Sequence, residues 1–231
     1  MPALPQLNAW AGARGLALDN GMPLTFVEAV PVSAMAFEQA IARHGRIGVR
    51  PDSWHDALNA LVWLTLPRTK CALTALHDAA ATATNRHART RERDAATLFD
   101  ESGLIVACAD GELVDLLRQR AWKALFVTAR ARVEAAFVPV TVGHGMLDKL
   151  RSPWRGITAH VLVMPAAASD PGDPAAIAAL DDAVAARIRT RPLLPSALTP
   201  LPVAGLPGWD AEALGARLYD DVSVFRPSVL V

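Results

Sequence analysis

The sequence predicts an α+β fold in one domain that covers residues 1–231, with a small antiparallel or mixed sheet and a hairpin packed against several helices. Segments with helical spacing and segments with strand-like composition are mixed along the chain and do not alternate strictly, which favours α+β over a doubly wound fold. No composition shift marks a linker, and no internal repeat is visible. We therefore expect a single domain.

The amino-terminal part is expected to contain an irregular segment followed by the first helix. Prolines and glycines are scattered through residues 1–31, which predicts an irregular lead-in. The first helix is expected from Ala34 to His44. Ser33 is a suitable N-cap for it, and Gly45 is the residue type that ends helices in the left-handed conformation.

Two further helices are expected in close succession. The second opens at Asp52 or Ser53, carries apolar residues on adjoining stripes, and ends before Pro67. The third runs from about Arg68 to Thr84, since proline suits the first turn of a helix.

We interpret the basic stretch Arg86–Arg93 as a solvated loop. After it, the spacing of apolar residues changes from helical to strand-like. The runs Ala95–Asp100 and Leu104–Cys108 are β-prone and flank Glu101-Ser102-Gly103. A three-residue connection ending in glycine predicts a β-hairpin there.

The second half of the chain mixes both kinds of element and ends in proline-rich sequence. A turn is predicted at 170–174, and residues 192–231 are expected to form a wrapping tail, because prolines exclude long regular elements. The other expected elements are a helix from Gly111 to about Glu134, strands at Phe137–Val142 and Ile157–Met164, a helical turn at Met146–Leu150, and a helix that ends near Arg189.

Composition excludes several classes of protein. The 23 basic and 23 acidic residues give zero net charge, so no global field attracts nucleic acid or anionic lipid. The longest apolar stretch, Ala57–Leu66, is too short to span a membrane, and no signal peptide is recognisable. We expect a soluble cytoplasmic protein. Cys71 and Cys108 are too few for a disulfide framework and are expected to be buried and inert.

Familiar catalytic motifs are absent, so candidate residues come from local patterns. His55 follows Asp52 at a helix start and shares a face with Asn59, which suits a general base or a half-buried structural histidine. Arg68 and Lys70 lie at a helix start that could bind an anion. Lys70, Thr74 and His77 then form a polar stripe that faces either a site or water.

The other candidate site residues lie further along the chain. Asp94 and Asp100 could orient an imidazole, although acidic residues are also ordinary turn residues. His144 stands between two glycines after a strand and is followed by Lys149, which makes it the first residue to test. His160 lies in an apolar strand and is expected to be structural. No histidine spacing fits a metal-ligand pair, so no metal site is predicted.

Several of these segments resemble a family. Its pattern is similar to Trp54–Trp63 followed by Pro67–Lys70, to Arg93–Gly103, to Gly143-His144 with Asp148-Lys149, and to Pro153–His160. The chain resembles the proteobacterial family called domain of unknown function 3025, from about Trp54 to the Val224–Pro227 tail. The resemblance implies no activity and no catalytic residues.

Two hypotheses for function remain. In the first, the protein is an enzyme acting on a small anionic metabolite: Arg68, Lys70, His77 and Lys149 bind it, and His144 or His55 acts as acid or base, oriented by Asp94 or Asp100. In the second, it is a non-catalytic ligand-binding or protein-assembly module with Trp10, Trp54, Trp154 and Trp209 at a partner surface. The sequence does not indicate a cofactor or an oligomeric state.

Overall fold

The computed structural model of the chain describes residues 1–81, 86–165, 170, 172–209 and 216–228, and the side chains of 34, 35, 80, 81 and 86–90 are not described. It is an α+β structure that divides into two compact units. The first unit comprises Met1–Asp100 and Ile177–Pro195, and the second comprises Glu101–Ala176 and Ser196–Val231. That the whole chain is one domain stays a prediction.

The elements up to residue 102 are mostly helical. In chain order they are α1 (Leu4–Ala13), β1 (Thr25–Glu28), α2 (Ala34–His44), β2 (Arg46–Val49), α3 (Trp54–Thr65), α4 (Pro67–Ala81) and α5 (Arg86–Ser102).

The remaining elements include most of the strands. They are β3 (Gly103–Ala107), α6 (Gly111–Arg118), a π-helical turn (Ala124–Thr128), α7 (Arg130–Ala136), β4 (Val138–Thr141), α8 (His144–Lys149), β5 (Thr158–Met164), α9 (Pro174–Thr190) and β6 (Thr199–Pro202), with 3₁₀ turns at Pro195–Ala197, Val203–Gly205 and Ala216–Asp220.

The helices α2, α3 and α4 begin and end largely where the sequence predicts. Ser33 caps α2 by accepting a hydrogen bond from the N–H of Ala36 at 3.2 Å, and Gly45 ends it at φ 61°. The side chain of Ser53 accepts from the N–H of Asp56 at 3.2 Å, so Ser53, and not Asp52, caps α3. The core of this unit includes Leu7, Phe26, Ile47 and Trp63. The end of the third predicted helix, residues 82–84, lies outside the described residues.

The expected irregular lead-in at residues 1–31 is wrong, because it contains α1 and β1. Pro5 lies in the first turn of α1, where the missing N–H of proline leaves no helical hydrogen bond unmade. β1 then pairs in parallel with β2, and α2 connects the two strands.

The predicted hairpin is also wrong. The run Ala95–Asp100 is helical, and α5 continues to Ser102 before β3 begins at once with Gly103. Ala95, Ala96 and Phe99 are fully buried, and their spacing fits one side of a helix better than one face of a strand. The basic stretch from Arg86 belongs to the same helix, so it is not a loop; the side chains up to residue 90 lie outside the described ones.

The second unit contains a mixed sheet of four strands in the order β4-β3-β5-β6. β3 pairs in parallel with β5, whereas the two outer pairs are antiparallel. Its core includes Leu104, Val106, Phe126, Val161 and Phe225. A mixed sheet against helices is the architecture that the sequence predicts.

Two further expectations for the second unit need correction. The single helix expected over 111–134 is interrupted, because Arg120 adopts φ 53° after α6 and a π-helical turn follows. The tail contains β6, where Pro200 and Pro202 pair with β5. A proline fits there because β6 is an edge strand, whose outer N–H groups need no partner in the sheet.

Both cysteines are free and buried, as expected. Burial raises the pKa of the Cys71 thiol to about 11, so this residue stays protonated at neutral pH. No helix among the described residues is long and apolar enough to cross a membrane.

Candidate functional site

Four helices of the first unit meet around a small pocket that is lined by charged and polar side chains. Its cavity volume is about 10 Å³, which is room for a single water molecule. The lining residues are Phe37, Glu38 and Ile41 of α2, Asn59 and Trp63 of α3, Lys70, Leu73, Thr74 and His77 of α4, and Asp100 of α5.

Lys70 and Asp100 form an ion pair at the base of this pocket. Lys70 is only 3% exposed, and its ammonium also lies 5.4 Å from the centre of the Trp63 ring, which allows a cation–π contact. A buried ammonium without a partner would be strongly destabilising. The carboxylate of Asp100 therefore supplies the opposite charge that the Lys70 ammonium requires inside the helical core.

Glu38 is the titrating group of the pocket near neutral pH. Burial raises the pKa of Glu38 to about 7, and the negative charge of Asp100 acts in the same direction. The positive charges of Lys70 and Arg93 oppose this shift without cancelling it. Both protonation states are populated at neutral pH, which is the condition under which a carboxyl group transfers protons efficiently.

His77 is half-buried on the same face of α4 as Lys70, one helical turn past Thr74. Burial lowers the pKa of His77, the charge of Asp100 raises it, and Arg93 and Lys70 lower it. The net decrease favours the neutral imidazole at neutral pH, and a neutral imidazole can both donate and accept a hydrogen bond.

Two buried polar atoms of α3 lack a hydrogen-bond partner within the described part of the chain. They are Oδ1 of Asn59, which is 8% exposed, and Nε1 of Trp63, which is 1% exposed. The residues are four positions apart, so their side chains lie on one face of the helix, and both line the pocket. Unsatisfied buried groups cost about 1–3 kcal/mol each, so the pair offers an acceptor and a donor to a ligand.

The start of α4, which we expected to bind an anion, holds a carboxylate of the protein itself. Asp181 of α9 is 2% exposed and accepts hydrogen bonds from the backbone N–H groups of Arg68 at 2.8 Å and Thr69 at 2.7 Å. The Arg68 side chain is exposed and lies 3.8 Å from Asp182. The polar stripe of Lys70, Thr74 and His77 therefore lines the pocket, whereas Asp181 already occupies the N–H groups of Arg68 and Thr69.

His55 lies in the first turn of α3 and is half-buried. The adjacent Asp56 forms a two-pronged ion pair with Arg50, with both oxygens accepting at 2.8 Å. Burial by itself would raise the pKa of Asp56, but hydrogen bonds from the side chain and backbone of Arg50 hold it below its usual value. His55 is not among the residues that line the pocket.

His144 belongs to the second unit, where it begins α8 and is 5% exposed. Its Nε2 lies 3.5 Å from Oε1 of Glu101. A Cβ at Gly143 would overlap the backbone of Ser102 and Gly103, and one at Gly145 would overlap the Glu101 carboxylate. These glycines therefore serve close approach, as the sequence suggests.

His160, expected to be structural, lies on β5 in the same unit. Its Nδ1 is 2.8 Å from Oγ of Ser102. Burial lowers the pKa of His160, and the charge of Lys149 lowers it further. The hydroxyl and the neutral imidazole satisfy each other, so this pair is explained by packing of the end of α5 against β5.

The structure brings three of the predicted site residues together: Lys70, His77 and Asp100. Asp94, Arg68 and Lys149 are exposed, and His144 belongs to the other unit. Sequence reasoning did not identify Glu38 or Trp63 as site residues. The spacing of Phe37, Glu38 and Ile41 was the available signal, because it places an acidic residue at the edge of the apolar face of α2.

Comparisons with known proteins identify a family but no function. No curated protein and no solved structure matches the chain. The model of the family described as protein of unknown function (DUF3025) matches residues 24–229. The bacterial origin and the cytoplasmic location stay predictions. Since the match covers most of the sequence, the chain belongs to the DUF3025 family.

Proposed function

We propose that the protein is an enzyme that performs acid–base chemistry on a small anionic metabolite, and that the pocket of the first unit is its active site. The observation that supports this most strongly is the presence of two unsatisfied polar atoms, on Asn59 and Trp63, beside buried ionisable groups. Clusters of perturbed ionisable groups are concentrated at functional sites.

Each lining group has a role that follows from its chemistry. Lys70 and the indole N–H of Trp63 are donors and bind the anionic group of the ligand. Asn59 Oδ1 accepts a hydrogen bond from a ligand donor, such as a hydroxyl or an amine. Glu38, with a pKa of about 7, exchanges a proton with the ligand, and neutral His77 holds the second polar end.

The small size of the pocket limits what can enter it. A volume of about 10 Å³ holds one water molecule, so a ligand requires side-chain rearrangement to place even a carboxylate there. The half-buried lining residues are Phe37 and Glu38 of α2, His77 of α4 and Asp100 of α5. We propose that displacement of the two α2 residues opens the pocket to solvent. We therefore propose that the anionic end enters and the rest of the ligand stays beside α2.

Ligand identification is the test. The purified protein would be analysed by native mass spectrometry and then screened by thermal shift against carboxylated and phosphorylated metabolites. A stabilising ligand should lose at least tenfold in affinity in Trp63→Phe, which removes one hydrogen-bond donor. A library that gives no stabilisation, or a ligand that binds Trp63→Phe equally well, would contradict the proposal.

The alternative is a protein-assembly function, and one observation favours it. Trp54 is 42% exposed and Trp154 is 52% exposed, whereas Trp10 and Trp209 are half-buried against the cores of their units. Exposed tryptophans are frequent anchors of interfaces. Light scattering after size-exclusion chromatography tests this: a monomer at all concentrations would contradict self-assembly.

A further inference from the structure

The charged side chains that line the pocket carry an excess negative charge when Glu38 is ionised. They are Lys70, Asp100 and Glu38. Lys70 contacts Asp100 directly, and Arg93 is exposed and does not line the pocket. With Glu38 ionised, the three lining charges sum to minus one, so a further anion would be bound without a compensating charge.

An uncompensated anion is unfavourable in so small and buried a space. Among the groups named above, Asp100 contacts the Lys70 ammonium directly, whereas Glu38 makes no such direct ion pair among the contacts described. The negative charge that is easiest to remove is therefore that of Glu38. When Glu38 is protonated, the remaining lining charges sum to zero, and a singly charged ligand takes the place of the one negative charge that Glu38 carried.

We infer that an anionic ligand enters this pocket together with one proton, and that Glu38 takes up this proton. The inference rests on the proposed function, since it concerns the same pocket and the same class of ligand. It specifies the ligand further: a monoanion such as a carboxylate replaces the one negative charge that Glu38 gives up, whereas a dianion adds a second negative charge.

The charged and titratable groups that line the pocket with Glu38 or act on its charge come from two neighbouring helices. Lys70 and His77 lie on α4, and Arg93 and Asp100 lie on α5. Burial lowers the pKa of His77, so this residue resists protonation. Burial raises the pKa of Glu38 to about 7, in the direction that proton uptake requires.

The experiment is isothermal titration calorimetry with acetate, lactate and pyruvate as probes, in buffers of different ionisation enthalpy. Near pH 8 we expect about 0.9 proton taken up per ligand, because a group with a pKa of about 7 is then largely ionised. Near pH 6 the uptake should approach zero. Above pH 7 the dissociation constant should increase about tenfold per pH unit.

Variants assign the proton to one residue. Glu38→Gln should abolish the uptake and the pH dependence while the probe still binds, and Glu28→Gln, an exposed acid at the end of β1, should change neither. Acetamide and lactamide, which are neutral, should bind without proton uptake.

The outcomes separate this inference from the proposed function. Binding of a carboxylate without proton uptake, or uptake that persists in Glu38→Gln and disappears in His77→Gln, would overturn the inference and leave the binding site intact. Failure of every probe to bind between pH 5 and pH 9 would overturn both.

Discussion

The carboxylate of Asp181 accepts a hydrogen bond from the backbone N–H of Thr69 at 2.7 Å, across 112 positions of sequence. The same carboxylate accepts the N–H of Arg68 at 2.8 Å. The first N–H groups of a helix have no partner within the helix. Asp181 therefore caps α4 from α9 and fixes the helix that carries Lys70 and His77.

Asp181→Ala should destabilise the protein by about 1–3 kcal/mol, because it leaves buried N–H groups without an acceptor. The matched control is Asp182→Ala, since the Asp182 side chain is 73% exposed and its removal should change stability by less than about 0.5 kcal/mol. Urea denaturation followed by circular dichroism measures both. Equal midpoints for the two variants would show that the cap contributes nothing.

Glu38→Gln should change how stability depends on pH. Unfolded glutamate ionises near 4.5 and folded Glu38 near 7, so between these values the folded protein retains a proton that the unfolded chain releases. Wild-type stability should therefore fall, relative to the variant, as pH rises from 4.5 to 7, and level off above that. The loss is on the order of 2 kcal/mol after allowance for partial exposure. Thermal unfolding of both proteins between pH 4.5 and 7 tests the direction of this change. The same pH dependence of stability in both proteins would contradict it.

The two single substitutions that break the ion pair between Lys70 and Asp100 should differ in their cost to stability. The Lys70 side chain is 4% exposed and that of Asp100 is 21% exposed. Asp100→Asn therefore leaves the more deeply buried charge, that of Lys70, without its carboxylate partner. We expect Asp100→Asn to cost about 3 kcal/mol or more and Lys70→Met to cost less. The double variant should cost less than the sum. Urea denaturation of the wild type, the two single variants and the double variant completes a double-mutant cycle. Additive costs would argue against an energetic coupling between Lys70 and Asp100.

Trp63→Phe and Trp122→Phe should have opposite effects: the first should weaken probe binding, and the second should lower stability. The N–H of Trp122 donates to the carbonyl of Arg226 at 3.0 Å, whereas that of Trp63 has no partner among the described residues. Trp122→Phe should therefore lose a hydrogen bond worth about 1 kcal/mol of stability and leave probe binding unchanged. Trp63→Phe should lose only packing and weaken probe binding at least tenfold. Calorimetry with the probes named above, and urea denaturation, separate the two effects.

Gly143→Ala should disturb the second unit. A Cβ at this position would lie 2.5 Å from Cα of Ser102 and 2.6 Å from the backbone N of Gly103, and the backbone cannot move aside as a flexible side chain can. We expect a cost of about 1–3 kcal/mol. Gly111→Ala, where a Cβ meets nothing within 4 Å, should be neutral or mildly stabilising. Thermal unfolding compares the two variants, and an unchanged unfolding temperature for Gly143→Ala would mean that the backbone at Ser102 and Gly103 yields freely.

The parts of the fold that local rules determine could be predicted from sequence. Ser33 and Gly45 give α2 its limits, because capping depends only on adjacent residues. The hairpin prediction failed because β propensity at Ala95–Asp100 competes with helical burial, and the position of Phe99 in the core is decided by tertiary packing. β6 was missed because proline is compatible with a strand only at a sheet edge, and edges are not visible in sequence.

The site was predicted in part for the same reason. The spacing of Lys70, Thr74 and His77 identifies one helical face, but sequence does not show whether that face meets water or protein. Asp100 was a candidate, although we expected it in a turn. Glu38 acquires its raised pKa only from burial among other helices, and the lack of a partner for Trp63 Nε1 is a property of the packed structure.

The first unit is assembled from two stretches of chain, Met1–Asp100 and Ile177–Pro195. During synthesis on the ribosome, its first stretch emerges long before Asp181 is translated. Until then, the N–H groups of Arg68 and Thr69 at the start of α4 lack this acceptor. Completion of this unit therefore waits for α9, and folding that depends on contacts between residues so far apart in sequence is slow.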